Sequence, residues 1–183
     1  MNLGLTWIML ALLALALGYL LFQGLRAYYK LRGKRLVTCP ETQKAAAVDL
    51  DAVHLARDAA FGRPHLRLSE CSRWPERQGC GQDCLKQIEA APEGCLVRRI
   101  VAHWYAGKTC VICGKAVDVA EQWVGHVPAL LSPEKVTVYW DKVTPEKLLE
   151  VFQTHSPVCW SCHMAGTFRR VHPDLVVDRP ARW

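Results

Sequence analysis

"PVCWSCHMAGTFRR", residues 157–170, contains Cys159-x-x-Cys162-His163, and the fold turns on what these side chains hold. Read alone, the stretch is a haem-attachment signature, with two cysteines for the vinyl groups and a histidine for the iron. The same Cys-x-x-Cys is also half of a four-thiolate metal site. Its complement lies upstream in "TCVICGKAV" (109–117), where Cys110-x-x-Cys113 is separated from the second pair by 45 residues. Two such pairs complete a tetrahedron at about 2.3 Å per zinc–sulfur bond. Gly114 suits a knuckle whose backbone takes positive φ. The second pair falls where a helix is expected to start, and free N–H groups there favour thiolate over thiol. The haem reading leaves Cys110 and Cys113 without a role. It also lacks a distal ligand, because Met164 adjoins His163 and cannot reach the far face of the iron. The expected ligands are therefore Cys110, Cys113, Cys159 and Cys162, the expected ion is zinc, and His163 is the alternative haem ligand.

A knuckle, then strands, then a helix opening on the second Cys-x-x-Cys resembles the treble-clef and zinc-ribbon-like class of four-cysteine zinc fingers. The resemblance covers residues 109–170 and rests on "CVICG" and "CWSCHMAGTF". It departs from compact members in its long spacer, which includes an extra helix over 145–154. It implies a structural metal and names no substrate or partner.

Five further cysteines stand at Cys39, Cys71, Cys80, Cys84 and Cys95, giving nine in all, an odd number that disulfides cannot fully pair. Cys80 and Cys84 are four apart and would share a face on a helix. Cys39 sits in a turn with Pro40. A second four-thiolate site at Cys39, Cys71, Cys80 and Cys84, with Cys95 as the alternative ligand, is the functional reading. It would hold zinc or an iron–sulfur cluster. The bland reading is that some of these are buried thiols packed as small hydrophobes.

The compartment follows from the amino terminus. Residues 3–22, "LGLTWIMLALLALALGYLLF", are 20 uncharged, mostly apolar residues, enough to span a hydrocarbon core of about 30 Å. A signal peptide expects basic residues before its apolar stretch, and here none precedes Arg26. All five basic residues of the first 35 (Arg26, Lys30, Arg32, Lys34 and Arg35) follow the run. The positive-inside rule then places the amino terminus outside and the carboxyl-terminal domain in the cytoplasm of a bacterial-type inner membrane. In that reducing compartment cysteine clusters usually hold metal, whereas covalent haem attachment takes place on the opposite side.

The net charge of +6 comes mostly from that basic segment, so the rest of the chain is near +1, which gives no basis for nucleic-acid binding. No Walker loop, His-Glu-x-x-His motif or paired-carboxylate pattern is present. An enzyme is therefore not the favoured reading. The expected organisation is α+β: a transmembrane anchor (1–25), a basic juxtamembrane linker (26–35), a cysteine-rich α+β region (36–98), a treble-clef-like zinc module (99–172) and an extended tail (173–183). Within it the sequence predicts strands flanking a turn at 39–42, and helices over 51–61, 85–91 and 95–109. It further predicts a strand over 136–140 and a helix capped by Thr144 that buries Leu148, Leu149 and Phe152. Together these features suggest a membrane-anchored metal protein that presents a surface to a membrane-associated partner. The alternative is a membrane-tethered electron carrier using an iron–sulfur cluster or c-type haem.

Overall fold

The computed structural model describes residues 3–61, 65–76, 79–117 and 126–175. It is a mixture of helix and sheet that divides into two compact units, Met1–Val97 and Arg98–Trp183.

The first unit opens with α1 (Leu3–Leu31). Its apolar run leaves no residue able to end it, and the basic residues that follow are good helix formers. The segment expected as a linker from residue 26 is therefore helical as far as Leu31. At 29 residues α1 is about 43 Å long, more than a hydrocarbon core needs. None of its most apolar window is buried, unlike the core helix of a soluble protein.

Gly33, at φ +109, turns the chain into β1 (Arg35–Thr38). Arg35 is fully buried, and its guanidinium donates to the carbonyls of Lys30, Leu31 and Gly33. It thus satisfies carbonyls that the end of a helix leaves open. Strand β1 pairs antiparallel with β2 (Ala45–Leu50), which pairs with β3 (Leu68–Cys71) past an irregularity at Asp49 and Leu50. Alternate residues Ala46, Val48 and Leu50 of β2 are buried, as a sheet covered on one face requires. Helix α2 (Ala52–Phe61) is capped by Asp51, whose carboxylate accepts the His54 N–H at 3.0 Å. It packs along α1, close enough that a Cβ on Gly24 would lie 3.3 Å from the Ala56 carbonyl. Leu55, Leu68 and Ile88 fill the core, with Ile88 supplied by α3 (Leu85–Ala90).

In the second unit, α4 (Val97–Tyr105) buries Val101 and Tyr105. The Tyr105 hydroxyl donates to the Ala129 carbonyl at 2.8 Å inside the core. Ala129 belongs to β4 (Ala129–Leu131), the centre of an antiparallel sheet between β5 (Thr137–Tyr139) and β6 (Ser156–Val158). The helix expected after Thr144 begins as a 3-10 turn, Pro145–Lys147, without a side-chain cap, and continues as α5 (Leu148–Thr154). Leu148 is buried and Phe152 stacks on Trp104, but Leu149 is exposed. Adjacent residues on a helix diverge by about 100°, so Leu148 and Leu149 cannot share one narrow buried stripe. The last long helix is α6 (Trp160–Val171), followed by a 3-10 turn, Pro173–Leu175, within the segment expected to be extended. The remainder of that tail lies outside the described residues.

Candidate metal centre

Two local structures deliver the four cysteines of the second unit. The first is a knuckle. Cys110 N–H donates to Lys115 O and Gly114 N–H returns to Cys110 O, each at 2.8 Å, and Gly114 takes φ +70. A side chain there would be strained, which is why glycine occupies the position. A bridge between Thr109 and Ala116 closes the knuckle, and Val111 N–H donates to Pro157 O at 3.0 Å. That bond ties the knuckle to β6, whose next residue is Cys159. The second structure is the start of α6: Cys159 is its N-cap in extended conformation, and Cys162 lies in its first turn.

The ligand atoms of Cys110, Cys113, Cys159 and Cys162 all lie within 4.8 Å of one another. Among the described residues this is the one group of metal-ligating side chains drawn together so tightly. Cys110 is buried, Cys159 and Cys162 are half-buried, and Cys113 is exposed. Burial works against the Cys110 thiolate, but N–H groups of Cys159, Cys113 and Ile112 outweigh it and bring the thiol down to about 6. Burial pushes the Cys162 thiol up, and the thiols of Cys159, Cys113 and Cys110 add to the rise. Burial also raises Cys159. The thiolate form is thus favoured at Cys110, and the other three gain from a cation that screens their mutual repulsion. The donor set fits a thiophilic ion such as zinc.

His163 lies outside this group. It is buried, with Nδ1 2.8 Å from the Thr137 hydroxyl oxygen and its ring edge-on to Tyr139. Burial holds its pKa below the ordinary value, and the positive charge of Arg170 acts in the same direction. The neighbour in sequence of a cysteine ligand is here a packed, hydrogen-bonded core residue. Residue spacing alone did not reveal that role, because Thr137 is 26 residues away.

In the first unit, Cys39, Cys71, Cys80 and Cys84 line one cavity of about 50 Å³. Their sulfurs are not collapsed onto a single point as those of the second unit are. Cys80 and Cys84 do not share a helix face: Gly79 and Gln82 both take positive φ, and α3 begins only at Leu85. Cys95 is not among the residues lining the cavity, and its sulfur lies 3.7 Å from the Gln87 carbonyl oxygen.

No protein-family model, curated protein or solved structure significantly matches the chain. The site is therefore read from its own geometry.

Proposed function

We propose that this chain is a single-pass membrane protein, amino terminus outside, whose carboxyl-terminal unit is a cytoplasmic treble-clef-like module built on structural zinc. The observation that carries the reading is the approach of four cysteine sulfurs to within 4.8 Å, contributed by a knuckle and a helix start. Four protein thiolates leave no open coordination position for water or substrate, which supports a structural ion over a catalytic one. The exposed apolar run of α1 and the basic residues that follow it support the anchor and its orientation. On the module, Val111 and Ile112 at the knuckle tip and Met164, Phe168 and Val171 along α6 are exposed. Exposed apolar residues at such a density support a docking role toward a membrane-associated protein.

Metal analysis of the full chain purified in detergent tests this reading. It expects a colourless protein with zinc that is lost on Cys113→Ser. A protein without metal, or one whose colour depends on His163, would replace the reading with haem or with plain thiols.

A further inference from the structure

We infer that Cys39, Cys71, Cys80 and Cys84 form a second thiolate metal centre, in the first unit and independent of the one proposed above. The argument starts from a repeated turn. Cys39 N–H donates to Lys44 O and Gln43 N–H returns to Cys39 O, each at 2.8 Å. This is the bond pair made by Cys110 with Lys115 and Gly114, at the same offsets and the same lengths. The residue before each lysine has positive φ, +56 at Gln43 and +70 at Gly114. "CPETQK" (39–44) and "CVICGK" (110–115) are therefore the same knuckle, with Thr42 standing where the second has Cys113.

A knuckle of this kind aims N–H groups at its first sulfur. Those of Glu41 and Thr42 bond to Cys39, and the Thr42 side chain faces it as well. The Thr42 hydroxyl oxygen beside it is buried and makes no hydrogen bond of its own among the described residues.

Sheet register brings the second ligand to the same place. Val37 pairs with Ala46 and Val48 pairs with Cys71, so these side chains share one face, and Cys39 follows Val37 in alternation. Cys39 and Cys71 thus project from a single sheet face. The turn from Gly79 to Cys84 closes over that face, with Cys84 capping α3 and its neighbour Ile88 in the same core cluster. All four cysteines line one cavity of about 50 Å³, shared with Val37, Trp74 and Asp83. Knuckle, register and shared cavity are three separate observations, and together they point at a thiophilic metal.

The test is made on the full chain, purified anaerobically in detergent. Zinc, iron and acid-labile sulfide are measured per chain, and native thiols are alkylated and mapped by residue with and without a chelator. Two zinc ions per chain, or one zinc with iron, sulfide and visible absorption, supports a second centre and says which metal it takes. The second centre should be lost in Cys80→Ser, with the first retained, and both should survive in Cys95→Ser. Because Cys80→Ser risks misfolding, the intact protein decides. About four thiols beyond the carboxyl-terminal four should resist alkylation until chelator is added. One metal centre per chain, or free alkylation of Cys39, Cys71, Cys80 and Cys84 while the other four stay protected, overturns the inference and leaves the zinc module untouched.

Discussion

The sulfurs of Cys113 and Cys159 stand 3.8 Å apart, although 45 residues separate them in the chain. Four sulfurs at about 2.3 Å from one ion occupy the corners of a tetrahedron whose edge is about 3.8 Å. This pair already has that spacing, one sulfur from the knuckle and one from the α6 cap. Cys113→Ser or Cys162→Ser is expected to remove one zinc equivalent and to abolish cooperative unfolding of the second unit. Thiolate zinc in small modules supplies roughly 10–16 kcal/mol of apparent binding energy, which a unit of this size cannot replace. Metal analysis together with near-ultraviolet circular dichroism would show it.

His163→Ala should separate ligand from core. The metal should stay, because the imidazole lies outside the four sulfurs. Stability should fall by about 1–3 kcal/mol, since a buried, packed ring is deleted and the half-buried Thr137 hydroxyl loses its partner. A thermal shift with unchanged zinc content is the expected result, and zinc loss would reassign His163 as a ligand.

Acid should act through Cys110. The surrounding N–H groups outweigh burial there and bring the thiol down from the ordinary 9.0 to about 6. A depressed folded-state value contributes stability that is complete above pH 9.0 and disappears as pH falls through about 6. Metal affinity should fall over the same interval as protons compete for the thiolates. Zinc release followed with a chromophoric chelator between pH 8 and pH 5 checks both the direction and the window.

The two glycines of α1 near its carboxyl half give a packing test. A Cβ at Gly24 would meet the Ala56 carbonyl at 3.3 Å, while one at Gly18 would meet nothing within 4 Å. Gly24→Leu should destabilise the first unit by about 1–3 kcal/mol through overpacking against α2. Gly18→Leu should be neutral or slightly stabilising, because it only improves helix propensity. Unfolding in detergent would rank the two, and equal effects would mean that α2 does not rest on α1.

A reporter fused after Trp183 is expected to be active only if it functions in the cytoplasm. Five basic residues follow the apolar run and none precedes it. Activity of a periplasmic reporter would reverse the compartment and return the haem and disulfide readings together.

The elements legible in the sequence were those fixed by local chemistry. The two Cys-x-x-Cys pairs, the hairpin around Cys39, the helix over 51–61 and the long apolar helix each announce themselves within a few residues. The three-residue strands β4 and β6 do not, because "ALL" and "SPV" are extended only by virtue of pairing with each other. Strand β3, "LSEC", is likewise defined by its partner β2. Cys80 and Cys84 had helical spacing, but local spacing says nothing of a positive φ at Gln82, which breaks the turn between them. The likeness of "CPETQK" to "CVICGK" is faint in residue types and plain in hydrogen bonds.

The buried Arg35 has a mechanical consequence. By gripping the carbonyls of Lys30, Leu31 and Gly33 it welds the end of α1 to the first strand, leaving no slack between them. A helix seated in a bilayer leans further when the bilayer thins. In the proposed membrane setting, a joint of this kind would carry such a lean into the β1–β3 sheet. If α1 is the anchor proposed above, this joint makes it a lever rather than a leash for the sheet that follows.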